Sequence, residues 1–223
     1  MNLRYKCLIL DHDDTMVDST ALIHYPSFLH SMARCRPGVK MTLAQYFEIN
    51  CDPGIFPYFR DVLKLSEEEM AEEYQDWLDF SAAHHAWVYP GMAKIVRTQK
   101  ELGGYICVVS HNREEAVLQD YQREGLPRPD LIYGCDRPKE EQKPHTFPLE
   151  DICARLGLEK QDLFMIDDLI PGMEMCRRAG VAVGAARWAH RTPIVGEYLT
   201  AHGVPEFSTP EELYQHLFVE KSV

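Results

Sequence analysis

The chain has 223 residues, 45% of them hydrophobic, which is enough to bury a full core and suits one domain carrying a modest insertion. Its 23 Lys and Arg against 35 Asp and Glu give a formal net charge of −12, which argues against nucleic acid or an anionic membrane surface as the main partner. A small anionic substrate remains open, because a metal ion and one or two placed cations reverse the field inside a pocket.

Residues 5 to 10 form a short apolar run, too short for the apolar region of a signal peptide, and no later stretch approaches a membrane span. The run reads as a buried strand and ends in Asp11-His12-Asp13-Asp14-Thr15. From about 20 to 88 the chain carries no good strand but several helical signals, among them Ser66 with Glu69, a capping box ahead of an acidic helix. This interval reads as a helical insertion, and Pro90-Gly91 punctuates the return. Amphipathic stretches at 92 to 102, 113 to 124 and 147 to 157 then alternate with apolar runs at 105 to 109, 130 to 133, 163 to 166 and 181 to 186. Thr209-Pro210-Glu211-Glu212 opens a last helix with a cap and a proline at its first position.

Alternating strands and helices predict an α/β fold, a Rossmann-like open parallel sheet with helices on both faces. Residues 1–19 and 89–223 are expected to form this core and residues 20–88 a small all-helical cap inserted after the first strand. The seven cysteines, at 7, 35, 51, 107, 135, 153 and 176, include no CxxC pair and no spacing of a disulfide framework or zinc site. A reducing, cytoplasmic compartment fits best, with Cys7 and Cys107 as small buried hydrophobes.

The first strand delivers Asp11, Asp13 and Asp14 to its carboxyl end, where open α/β sheets bind ligands. If the chain stays extended, Asp11 and Asp13 point to the same side, to serve as nucleophile and proton donor or to hold a hard cation jointly. Taken alone this also fits an acidic turn. The second strand ends at Ser110-His111-Asn112, a hydroxyl followed by backbone amides at a helix start, which suits an anion. Lys143, before Pro144, is a loop cation that can reach a phosphate, and a later strand ends in Asp167-Asp168. Each signal is weak alone; as an ordered set they are strong.

The segments DHDDT, VVSHN, KP and IDD, in this order and separation, resemble the four motifs of the haloacid dehalogenase superfamily. The insertion after the first motif is similar to the helical cap of its phosphoglycolate phosphatase and β-phosphoglucomutase branch. The resemblance implies a phosphatase that cleaves a small phosphorylated metabolite through an aspartyl-phosphate on Asp11, with Asp13 protonating the leaving oxygen and then activating water. It implies Mg²⁺ held by Asp11, the backbone carbonyl of Asp13, Asp167 and the phosphate, with Asp168 as a further helper. Ser110 and Lys143 are then expected to hold phosphoryl oxygens, with donors around His12, His111 and Asn112 aimed at the developing charge. The expected assembly is a monomer or a small homo-oligomer, with neither nucleic acid nor membrane as partner.

Two departures from the family pattern stand out. Asp14 occupies a position often held by Gly and is expected at the surface, and Pro171 stands where many relatives place a further Asp. An acid at the position of Asp13 argues against dehalogenase chemistry. The alternatives are a β-phosphoglucomutase-like phosphomutase, which needs cap cations to grip a second phosphate, and a phosphate-binding protein without hydrolysis. His84-His85 lacks a third metal ligand, His24 and Tyr25 fit either a substrate-facing or a packing role, and Trp188, His190 and Arg191 could line the pocket mouth but read better as an ordinary loop.

Overall fold

A computed structural model of the protein describes residues 1–219. In chain order the elements are β1 (Asn2–Leu3), β2 (Cys7–Leu10), a π-helical turn (Thr20–His24) running into α1 (Tyr25–Cys35), α2 (Leu43–Cys51) and the single turn α3 (Ile55–Pro57). A second π-helical turn (Tyr58–Val62) and α4 (Glu67–Ala83) follow, then α5 (Met92–Glu101), β3 (Tyr105–Val109), α6 (Glu114–Arg123), β4 (Leu131–Tyr133) and α7 (Phe147–Leu156). The chain continues through β5 (Leu163–Asp167), α8 (Ile170–Ala179), β6 (Ala182–Ala186), α9 (Pro193–His202), β7 (Glu206–Phe207), α10 (Pro210–Leu217) and β8 (Phe218–Val219).

Six strands form one sheet in the order β4-β3-β2-β5-β6-β7, every neighbouring pair parallel. Both faces are covered, which is why the strands read as continuous apolar runs rather than as alternation. Leu8 and Leu10 pack on one face with Ile95 of α5, Val117 of α6 and Leu213 of α10. Cys7 and Ile9 pack on the other with Ile152 of α7 and Cys176 of α8. Each fully buried side chain of this size contributes roughly 1.5–3 kcal/mol. The register sets Leu10 opposite both Val108 and Ile166, so β2, β3 and β5 end along one edge.

The expected strands and helices of the α/β sheet are present with ends shifted by two residues or fewer. Two-residue strands are too short to leave a periodic signal, and β1, β7 and β8 were not foreseen. Between β2 and α5 the named elements are all helical, with Phe28, Met32, Tyr46 and Phe59 forming an apolar cluster of their own. The capping box at Ser66 and Glu69 starts α4, and Thr209 caps α10 with Pro210 in its first turn. The two segments joining this insertion to the sheet pair with each other: the Asp18 amide donates to the Trp87 carbonyl at 2.9 Å and the Tyr89 amide to the Met16 carbonyl at 3.0 Å. No helix among the described residues is long and apolar enough to cross a membrane.

Candidate active site

The two-residue period of the strands decides which side chains meet at the sheet edge. Asp11 follows Ile9 and Asp167 follows Met165 in phase, so both carboxylates leave the sheet on the face covered by α7 and α8. Lys143, in the loop leading into α7, meets them there, its Nζ donating to Asp11 Oδ1 and Asp167 Oδ2 at 2.7 Å each. All three are buried: Asp11 is 4% exposed, Lys143 5% and Asp167 0%. Burial works against the charge of Lys143, but the two carboxylates outweigh it and hold the ammonium protonated above its ordinary range.

Asp168 adds a third buried carboxylate, and the ligand oxygens of Asp11, Asp167 and Asp168 lie within 4.8 Å of one another. Burial pushes Asp167 up to about 7 against the pull of Lys143. Burial and then the charge of Asp11 raise Asp168 well above its usual value. Three acids sharing one ammonium leave an excess of buried negative charge, and a cluster of hard oxygen donors in that state suits a hard divalent cation. The residues present therefore fit the metal that the sequence motifs imply. Gly172 of α8 makes room for this arrangement, since a Cβ there would overlap Asp167 Oδ2.

The carboxylate of Asp13 is turned elsewhere. Its Oδ1 accepts from Asn112 Nδ2 at 3.0 Å and lies 3.2 Å from His24 Nε2. Trp77 Nε1 donates to His24 Nδ1 at 2.9 Å, which makes Nδ1 an acceptor and puts the imidazole proton on Nε2, facing Asp13. Burial alone raises the Asp13 pKa, but the hydrogen bond and charge of His24 hold it below the usual carboxylate range. Burial likewise works against a charged His24 while the Asp13 carboxylate lifts its pKa above the ordinary value, and the Trp77 N–H aimed at Nδ1 opposes a proton on that nitrogen.

Ser110 Oγ accepts the Asn112 amide at 3.0 Å and keeps its own proton available to donate. Among the described residues the backbone amides of His12, Asp13 and His111 donate to no protein acceptor, so they form a set of free donors at the strand ends. The side chains follow a different course. The His12 ring lies in phase with Leu10, on the α6 face, with Nε2 2.9 Å from Asp120 Oδ2. His111 donates from Nε2 to the Lys143 carbonyl at 3.1 Å. The amide of Asn112 is taken by Ser110, which leaves Asn112 as a partner of Asp13.

Besides Asp13, whose carboxylate was expected on the side of Asp11, two expectations change. Asp14, expected at the surface, is buried at 4% exposure. Its positive φ of 58° folds the carboxylate inward, where Oδ1 accepts the Thr20 amide at 3.2 Å and so ties the π-helical turn at Thr20–His24 to the loop after β2. Burial pushes its pKa up to about 7. His190, read as part of an ordinary loop, is buried with Nε2 2.9 Å from Asp168 Oδ2. The sequence holds no local sign of this contact, because it spans 22 positions and depends on how the loop after β6 turns back.

Comparison with known proteins points the same way. The family model of haloacid dehalogenase-like hydrolases matches residues 8–186. A phosphoglycolate phosphatase of Chromobacterium violaceum is 28% identical over 126 residues, a match that spans 56% of this chain and 56% of that relative. Among solved structures, a predicted phosphoglycolate phosphatase from Haemophilus somnus superposes with a TM-score of 0.74 at 16% identity, covering 96% of this chain and 98% of the other. CbbY from Rhodobacter sphaeroides, in complex with xylulose-(1,5)-bisphosphate, gives 0.72 at 15% identity, covering 94% and 96%. These low identities speak for the shared fold, whereas the family match takes in the strand-end carboxylates, Ser110 and Lys143. The chain belongs to the haloacid dehalogenase-like hydrolase family.

Proposed function

We propose that the protein is a Mg²⁺-dependent phosphatase that hydrolyses a small phosphorylated metabolite through an aspartyl-phosphate intermediate, with residues 20–88 acting as a cap over the site. The observation that carries this reading is the buried cluster in which one lysine, Lys143, bridges Asp11 and Asp167 beside Asp168.

In this reading an oxygen of Asp11 attacks phosphorus as the bond to the leaving oxygen breaks, and Asp13 protonates that oxygen. Asp13 then takes a proton from water, which attacks the phosphorus of the intermediate and returns Asp11 with release of phosphate. The Asp13 environment favours its ionised form, and the arrival of a phosphate dianion nearby shifts the balance toward the protonated acid that the first half-reaction needs. Lys143 and the Ser110 hydroxyl donate to the non-transferred oxygens, and the free amides of His12, Asp13 and His111 add donors for the developing charge. Asp11, Asp167, Asp168 and the Asp13 carbonyl would hold Mg²⁺, which would supply Lewis-acid charge neutralisation between two anionic reactants.

Ser110 and Asp168 are each 2% exposed, so the site is covered, which favours a small substrate admitted by movement of the insertion and kept from bulk water during the reaction. A phosphatase is favoured over a mutase because, of the five cations of the insertion, Arg34, Arg36 and Arg60 are already paired with Asp76, Glu69 and Asp61, which leaves Lys40 and Lys64 to grip a second phosphate. Seven unpaired thiols support a cytoplasmic setting. The test is phosphate release from a panel of phosphorylated sugars, short acids and nucleotides, with and without Mg²⁺. Magnesium-dependent release from one class identifies the substrate, and no release from any compound overturns the assignment.

A further inference from the structure

We infer that His190 is a positioning residue that fixes the carboxylate of Asp168 and is itself held in place by the inserted helix α2. The inference rests on the reading of Asp168 as part of a metal site.

Asp168 differs from its two partners in the cluster. Asp11 and Asp167 are both oriented by the Lys143 ammonium, whereas Asp168 is held by neutral donors: Thr15 Oγ1 donates to Oδ1 at 3.2 Å and His190 Nε2 to Oδ2 at 2.9 Å. Two donors from two separate loops, one on each oxygen, fix the plane of the carboxylate and leave its remaining lone pairs for the cluster. The tautomer of His190 is set from behind, because the Thr192 amide donates to Nδ1 at 3.5 Å and the Thr192 hydroxyl lies 3.3 Å from the same atom. An accepting Nδ1 requires the proton on Nε2, where Asp168 uses it.

The third constraint comes from outside the sheet. Phe47 of α2 lies against the imidazole, ring centroids 4.7 Å apart and 29° between planes, and is 7% exposed. Cys51, one turn further along α2, places its Sγ 3.4 Å from Thr192 Oγ1. One helix of the insertion thus touches both His190 and the residue that sets its tautomer. The orientation of Asp168 therefore depends on α2 being docked, and the metal site is assembled jointly by core and insertion.

The test measures Mn²⁺ binding to the full-length protein by electron paramagnetic resonance of the free ion, beside the Mg²⁺ dependence of phosphate release. His190→Ala is expected to weaken Mn²⁺ binding by about 10- to 100-fold, the usual cost of losing an outer partner of a metal ligand. His190→Gln, whose Nε2 can donate to the same oxygen, should recover most of that affinity, and Phe47→Leu, which keeps apolar volume without the ring stack, should weaken binding in the same direction as His190→Ala. In turnover, the loss should appear as a higher Mg²⁺ requirement with kcat at saturating Mg²⁺ much less affected. If His190→Ala does not fold, the Gln and Leu variants carry the test. Wild-type affinity in His190→Ala, or equal losses in the Ala and Gln variants, overturns the inference. Asp168→Asn separates the two readings: Mn²⁺ affinity unchanged in that variant removes Asp168 from the metal site, and the role of His190 with it.

Discussion

Lys143 and Asp11 stand 132 positions apart in sequence, yet the ammonium of one lies 2.7 Å from a carboxylate oxygen of the other, and both are buried. A lysine so placed neutralises the surroundings of Asp11, the proposed nucleophile, and in the proposed reaction it passes from the carboxylates to a phosphoryl oxygen. Its removal should therefore be felt in stability as well as rate. Lys143→Ala leaves buried carboxylates without their counter-charge, and we expect a loss of about 3 kcal/mol in metal-free buffer, partly restored by Mg²⁺. Thermal melts with and without Mg²⁺ check this; equal melting of mutant and wild type in both conditions contradicts it.

Asp11→Asn removes the proposed nucleophile while keeping its size and much of its hydrogen bonding. Turnover should fall by more than about 1,000-fold with the circular dichroism spectrum intact. A mutant retaining more than a trace of wild-type phosphate release sinks the proposed nucleophile.

Gly172→Ala tests the packing behind the cluster, because the added methyl has no room beside Asp167 Oδ2. The expected cost is about 1–3 kcal/mol of stability from overpacking, together with a weaker Mg²⁺ response as Asp167 is displaced. Denaturant unfolding read beside Mg²⁺ titration of activity checks both effects; wild-type values in both would mean that α8 shifts freely.

Glu73 of α4 is 8% exposed, and burial pushes its carboxyl from the ordinary 4.5 up to about 7, with Asp76 adding to the shift and His24 opposing it. The native state therefore binds more protons than the unfolded chain between those values, and this residue makes stability fall as pH rises through that window, with no further change above it. Glu73→Gln should match wild type at pH near 4 and melt a few degrees higher at pH near 8. A stability difference that is independent of pH rules out this account.

The sequence by itself determined the strands of the parallel sheet and the order of the chemical groups at their ends. A buried strand must be apolar on both faces, and the polar residue that ends it must lie at the sheet edge, so β2, β3 and β5 announced Asp11, Ser110 and Asp167. The capping box at Ser66 and the capped start of α10 at Thr209 were legible because their hydrogen bonds close within four residues. Only the tertiary structure decided what each group does next. Asp14 turned inward at a positive φ, Asp13 found His24 and Asn112, and Asp168 found His190 beneath a helix of the insertion. Those contacts depend on where loops separated by many residues come to rest on the finished sheet, which no local periodicity encodes.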